Sequence, residues 1–515
     1  MRDHEQDRPR AAVDQGTAVK QIWEIDPRDP IVLGDGRTAI PFVEGPVHPF
    51  PFPGTIAGMV RSTFVRRKGD VSPADARDLL RTIRIRGPWL VAPRLEEADA
   101  LSCIRVPAPT DVRVVAGRAS AKDLSGRVIG GRILEPGPEE GVLWPEGSSI
   151  PALVELQDRN PGSGRKMRPI HDAFWPLDLC VLWSLGLRPS ASGRDSDATG
   201  MARLRDRFDR LLKRFLNELD NDYMLSNRKE RLLNRERRIH VALDDKTLTA
   251  EAGFLFSSSG LRLAEGWRIA VEVQADRPDC PDGGDYLGVL GGESRLSYLR
   301  IASVTERSGV DGCGNAFPSF ERYRPWYRAL ADWIDGDCDA SKGEKWGLRV
   351  QLVTPAFCPR EKREASLWHE HGEPAWCPSW LRREGDAFVG VHPSMRIPEL
   401  EDIRLRLYAL SIPGFSVVSG WNLQGGSRAR RRGASEGAFL RQRTGAPREV
   451  RRLVPAGSVY FFEIVPPPGK RVSASQGERI CALLWGGHLD PEGPREGVEA
   501  NLSEFRAPSS HDATG

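Results

Sequence analysis

The side chains with the longest chemical reach in this sequence are arginines, and three groupings of them could grip a phosphate backbone. The first closes the stretch FPGTIAGMVRSTFVRRK. Pro53-Gly54-Thr55 suits a helix entrance, with Thr55 placed to cap the first free N–H groups. Ile56, Met59, Val60, Thr63 and Phe64 then share one helical face. Arg61 lies on another face, and Arg66, Arg67 and Lys68 fall in the last turn, where the helix dipole favours cations. An ordinary amphipathic helix with a solvated edge would carry the same residues. The second grouping is the run 425–452, GGSRARRRGASEGAFLRQRTGAPREVRR, with nine Arg against two Glu and its densest part at Arg428, Arg430, Arg431 and Arg432. Such a segment can order on RNA or DNA, its guanidinium groups pairing with phosphates or stacking on bases. A solvated loop is the plain alternative. Trp421, Tyr460 and Phe461 flank it and could stack on bases, although aromatics in strands are usually core. The third grouping is Gly291-Gly292 followed by Arg295: paired glycines admit close backbone approach, and the arginine can hold a phosphate.

Acid–base and metal chemistry find weaker footing. Cys358, His369, His371 and Cys377 have spacings that match no standard zinc site, so no metal is expected. His171-Asp172 is a metal-phosphohydrolase dyad without its companion residues. His48, in the proline-rich loop before the basic helix, and His240, at a strand entrance, could each take a 2′-OH proton as general base in RNA cleavage. A lone histidine in such a place is more often inert. No Walker A, HExxH or GxSxG pattern occurs, and no cofactor is expected.

The chain of 515 residues has room for two to four domains. Its net charge of +3 is too small to imply a polyanion partner by itself. The cations are 63 Arg against 11 Lys. A GC-rich genome would raise Arg in the same way, so position says more than number. No apolar run approaches the roughly 18 residues of a membrane span. The polar start, MRDHEQDRPRAAVDQG, has no apolar signal region. Eight cysteines without regular spacing read as reduced thiols. Together these predict a cytoplasmic protein with no membrane contact.

The elements that must position these residues alternate between strands, helices and glycine turns, which predicts an α+β fold. A disordered leader is expected over 1–20 and a disordered tail over 506–515. Between them we expect a first domain over 21–280, carrying an insertion around 157–235, and a second over 281–505, carrying an insertion around 358–400 and the basic loop 425–452. Residues 157–203 read as a long surface loop. Leu204, Phe208, Leu211, Leu212, Phe215 and Leu219 predict an amphipathic helix whose stripe is core. NRKERLLNRERRIHVALDD reads as a basic helix passing into a strand, LVPAGSVYFFEIV as a strand, and ERICALLWGG as a final helix.

Five stretches, in order, resemble one known family. DPRDPIVLGDGR with PFPGTIAGMVRS resembles the N-terminal signature of the third Cmr subunit, a RAMP protein of type III-B CRISPR RNA-guided complexes. HVALDDKTLTAEAGFLF, LGVLGGESR, LVTPAF, and SGWNL followed by RRLVPAGSVYFFEI resemble its later motifs. The resemblance spans about residues 22–465. It implies two tandem ferredoxin-like (RRM-like) RAMP domains with helical and loop insertions, and a non-catalytic role. That role is to hold the 5′ handle of the CRISPR RNA and to contact the large Cas subunit (the cyclic-oligoadenylate synthase) and the backbone RAMP subunits. By matching position it places Asp35, Gly36 and Arg37 on a first turn, Thr55, Arg61 and neighbours on the first helix, and Gly291, Gly292 and Arg295 on a second turn, all facing RNA. The sequence departs from the family in a longer arginine loop and in GGHLDPEGPREGVEANL, which keeps Gly487, Gly493 and Gly497 without a clean aromatic–glycine pattern. The expectation is therefore an RNA-binding assembly subunit. Its rivals are a RAMP endoribonuclease acting through His48 or His240, and a scaffold whose RNA contacts come from neighbours.

Overall fold

The structure is a computed structural model. It describes residues 18–33, 50–69, 82–93, 104–114, 128–130, 132–134, 152–155, 174–187, 200–225, 233–243, 249–276, 283–291, 295–303, 318–337, 346–358, 376–385, 387–418, 421–422, 446–447 and 451–489, with the single positions 72, 75, 79, 80, 189, 247 and 281.

Two seven-stranded sheets dominate. The first runs, in spatial order, β11 (Gly284–Val289), β12 (Leu296–Ser303), β1 (Ala18–Pro27), β10 (Arg268–Asp276), β3 (Arg84–Val91), β4 (Ile104–Pro107) and β7 (Phe174–Pro176). Every neighbouring pair is antiparallel. Strand alternation splits its side chains between two cores. Trp23, Ile25, Leu90, Ile269 and Val271 face helix α1 (Pro53–Lys68). Ile22, Trp89, Val106 and Ala270 face helices α2 (Leu177–Ser184) and α3 (Gly200–Leu225). β1 and β3 are both antiparallel to β10, which lies between them, so β1–α1–β3 is a split strand–helix–strand unit.

A long hairpin, β8 (Leu233–Leu243) with β9 (Ala250–Leu263), pairs at its base with the short β2 (Ile31–Val32). The strand expected within NRKERLLNRERRIHVALDD begins at Leu233 and is fixed by its pairing with β9, and the basic stretch 227–232 before it lies outside the described residues.

The second sheet runs β13 (Gly347–Gln351), β17 (Val459–Val465), β16 (Arg404–Ser411), β15 (Ala387–Gly390) and β14 (Leu381–Glu384). β6 (Ala152–Glu155) adds parallel to β16 and carries β5 (Arg132–Leu134) with it. Helix α5 (Ala474–Leu484) packs on this sheet, whereas α4 (Arg324–Asp337) packs Trp326, Tyr327, Ala329 and Leu330 on the core of α2 and α3 and also contacts α5. A capping box starts α5: Gln476 N donates to Ser473 Oγ at 3.2 Å, and Ser473 N donates to Gln476 Oε1 at 3.0 Å.

Three sequence expectations need revision. The supposed surface loop over 157–203 contains β7 and α2, and α2 is buried from Leu177 to Trp183. A helix enclosed on all sides has no polar face and so no amphipathic period to read. The insertion expected at 358–400 supplies β14 and β15 to the second sheet. A boundary at 280/281 also fails to divide the sheets: β11 and β12 belong to the first, whereas β5 and β6 join the second. The α3 stripe is core as expected, with Leu204, Phe208, Leu212 and Phe215 buried.

The two sheets are joined by residues 107–111. Gln351 Nε2 donates to Pro107 O at 2.8 Å, Thr110 Oγ1 to Ser411 O at 2.6 Å, and Thr110 N to Gly457 O at 2.9 Å. Asp111 and Arg349, 3% and 8% exposed, form an ion pair at the centre of the joint. Asp111 Oδ1 also accepts from Trp183 Nε1 at 3.2 Å, and Arg349 Nη1 donates to Trp183 O at 3.0 Å. Replacing Arg349 with Met should strand a buried carboxylate and cost about 3–5 kcal/mol. Denaturant unfolding of the variant checks this, and a loss under about 1 kcal/mol would mean the pair behaves like a solvated one.

Candidate nucleic-acid interface

Helix α1 is built to hold its basic end still. Phe52, in extended conformation, is the N-cap, and Pro53 opens the first turn. Thr55 is the third helical residue, with its N–H bonded to Phe52 O at 3.0 Å, and no side chain caps the helix. The expected Thr55 cap therefore gives way to a proline start, which removes one orphan N–H outright. Ile56, Ala57, Met59, Val60, Thr63 and Phe64 are buried against the first sheet. Phe64 stacks on Trp23 with ring centroids 5.5 Å apart and planes 1° from parallel. Gly69, at φ +72°, ends the helix.

Arg66, Arg67 and Lys68 are all exposed in the last turn. Arg67 is held over the Tyr286 ring, 4.7 Å from its centroid, and its Nη1 donates to Tyr286 Oη at 2.5 Å. β11 can carry Tyr286 under the helix because Gly288 lets the helix come close: a Cβ there would lie 2.8 Å from Leu299 and 3.3 Å from Met59. Arg61 is half-buried, and burial pulls its guanidinium down to about 10, so it stays charged at neutral pH.

Strand β2, which leads toward the first glycine turn, meets the second turn. Gly291 has φ +77°, and a Cβ on it would sit 2.6 Å from Val32 O and 3.2 Å from Ile31. Leu290 N donates to Arg295 O at 2.8 Å and closes the second turn. The strand leading into the first turn is thus packed on the second, and α1 lies on the same face of the sheet as both. Asp35, Gly36, Arg37, Gly292, Arg428, Arg430, Arg431 and Arg432 lie outside the described residues.

The other candidates separate. Cys358 and Cys377 are buried in the apolar core of the second sheet, with Cys377 Sγ donating to Pro378 O at 3.7 Å. His369, His371, His48, His171 and Asp172 are outside the described residues. Among the described residues no three His, Cys, Asp or Glu side chains cluster as metal ligands would. His240 is half-buried on the hairpin, its Nε2 2.7 Å from Ser258 Oγ. Tyr460 is fully buried and donates to Trp376 O at 2.8 Å, so it is core and no stacking platform.

Two features escaped the sequence reading. One is the hairpin, whose Ile239 is 73% exposed between Arg238 and His240. The other is a cavity of about 250 Å³ between the two sheets, lined by Arg86, Trp89, Ser184, Phe357 and Trp485 among others. Gly486, at φ +62°, closes it: a Cβ there would collide with the Arg86 guanidinium. Burial lowers Arg86 to about 10, against the pull of Glu272. Neither feature has a local motif, since both arise from distant segments.

A family model described as CRISPR-associated protein (Cas_Cmr3) matches residues 23–312 and 337–474. No curated protein gives a match. Among solved structures, a chain of the "Cryo-EM structure of the Type III-B Cmr-beta bound to cognate target RNA and AMPPnP, state 1" is 12% identical, with a TM-score of 0.31 over 85% of this chain and 86% of that one. A chain of the "Crystal structure of Csm3-Csm4 subcomplex in the type III-A CRISPR-Cas interference complex" is 7% identical, with a TM-score of 0.28 over 85% and 92%.

Replacing Gly291 with Ala should strain the turn by about 1–3 kcal/mol and push it off Val32. Hydrogen exchange at the amides of Ile31–Leu33 should accelerate; unchanged exchange there would show that the turn and β2 are not mechanically linked.

Proposed function

The chain belongs to the CRISPR-associated Cmr3 family, and from that premise we propose that it is a non-catalytic, RNA-binding subunit of a type III-B effector complex. In this reading it recognises the 5′ handle of the guide RNA and links the large Cas subunit to the backbone RAMP subunits in the cytoplasm, in antiviral defence. The observation that carries it is the placement of Arg66, Arg67 and Lys68 on an anchored helix end, on the same face of the first sheet as Gly291 and the strand β2 packed on it.

The chemistry follows from that placement. Exposed cations pair with phosphates and release counterions, which gives affinity without sequence. Backbone N–H groups at glycine turns can approach phosphates or base edges closely, because no Cβ stands in the way. Arg67, already oriented on Tyr286, loses little freedom when it binds. The cavity beside Arg86 has room and aromatic walls for a base turned out of the strand. None of these groups needs to move a proton. The His240 ring nitrogen, facing Ser258, also favours holding over cutting.

The first half supports a ferredoxin-like reading. β12, β1, β10 and β3 stand in the order fourth–first–third–second of that fold, and α1 is its first helix. In chain order strand β11 takes the place of its second helix, and in the sheet it adds as an edge strand beside β12. For the second half the reading rests on the family resemblance, since no described helix joins two strands of that sheet as α1 joins β1 to β3. No described helix is long and apolar enough to cross a membrane.

Changing Arg66, Arg67 and Lys68 together to Gln should weaken handle-RNA binding and make its salt slope shallower by about 2, at roughly 0.7 per phosphate contact on single strands. An unchanged handle footprint in assembled complexes carrying this variant would sink the binding role of the helix end. In a separate assay, pure protein incubated with repeat RNA without metal should leave it intact. Cleavage that disappears in His48→Ala or His240→Ala would replace this reading with an endoribonuclease.

A further inference from the structure

Helix α3 has a second face that the handle-binding reading does not use. Its inward stripe, Leu204, Phe208, Leu212, Phe215 and Leu216, is buried on the first sheet. Its outward stripe is Arg203, Arg207, Arg210 and Lys213, all exposed, with the exposed Asp206 within it and the half-buried Asp209 at its flank. Spacings of three and four residues put these cations in one line, about 5–6 Å apart and roughly 15 Å from end to end at 1.5 Å per residue.

Several arginines among the described residues are neutralised by a carboxylate. Arg262 pairs with Glu236, Arg268 with Glu24, Arg300 with Asp285, and Arg324 and Arg328 share Glu478. Among the described residues, Arg203, Arg210 and Lys213 make no ion pair. Arg207 lies over the ring of Trp326 on α4, 4.8 Å from its centroid. Like charges at these spacings repel and weaken a helix. With a chain net charge of only +3, so concentrated a stripe is a local feature and not a bulk excess.

We propose that this face of α3 is a second nucleic-acid contact, taking the phosphate backbone of single-stranded RNA. A polyanion relieves the repulsion along the stripe. The arginine fork fits phosphate oxygens, and Arg207 on Trp326 presents a planar cation beside an aromatic edge, where a base can stack. The surface is separate from the helix end of α1, because α3 and α1 cover opposite faces of the first sheet. The choice of RNA over an acidic protein rests on the family reading above.

The test uses the full chain and a labelled 15-nucleotide oligouridine, which contains no repeat-derived sequence. Arg203, Arg210 and Lys213 are changed together to Gln. Their side chains point to solvent, so the thermal midpoint should stay at the wild-type value. Oligouridine binding should weaken tenfold or more at low salt, with a salt slope shallower by about 2. Ultraviolet crosslinks to residues 200–217 should appear in the wild type and vanish in the variant. Unchanged affinity and slope, or no crosslink to that segment, would overturn the proposal, as would equal-length polyglutamate competing as well as RNA. Handle footprinting in the assembled complex is read separately. A lost footprint with crosslinks retained would remove the handle reading and leave this surface standing.

Discussion

The arrangement of this protein depends on one buried charge pair. Asp111 and Arg349 come from the two halves of the chain and meet where the first sheet gives way to the second. Neither charge could be left alone in so apolar a place, since an isolated buried ion would cost far more than a hydrogen bond returns. Each therefore requires the other, and Trp183 supplies both a donor and an acceptor to complete the set. Such a pair adds little or no net stability compared with apolar residues of the same shape. Its effect is to penalise every docking of the two sheets that leaves it open. The neighbouring bonds from Gln351 and Thr110 share that register.

The same joint creates the interior that the chain uses. Helix α2 is enclosed between the first sheet, α3 and β13, and its only buried carboxylate, Asp178, accepts from Tyr323 Oη at 2.7 Å. That bond brings the segment before α4 onto α2, and α4 in turn contacts α3 and α5. The cavity beside Arg86 is the space left where these layers fail to close completely. Gly486 allows the chain after α5 to reach the guanidinium that a side chain would have displaced. Surfaces for a charged ligand are thus held by elements whose other sides are core, which lets exposed arginines keep fixed positions.

Much of the candidate interface was legible because its signals are local. The face of α1 from Ile56 to Phe64, its basic last turn and the α3 core stripe follow from 3.6-residue periodicity alone. The glycine turn at 291 was legible because a positive φ there tolerates little else. Where the reading failed, the cause was context. α2 is buried on every side, its Asp178 included, and shows no period. The Thr55 cap was displaced by Pro53, which needs no cap partner. The place where strand β8 begins in its charged stretch cannot be read until β9 is placed beside it.

The sequence by itself determined the family, the basic helix end and the turns that could face a phosphate backbone, because each is encoded within a few adjacent residues. Tertiary structure alone decided that Val32 meets Gly291, that Arg67 rests on Tyr286, that Arg86 meets Gly486, and that strands 132–134 and 152–155 complete a sheet belonging to the other half. These contacts join residues far apart in the chain. Their energy comes from burial and hydrogen bonding that exist only once both partners are in place, so no local pattern could announce them.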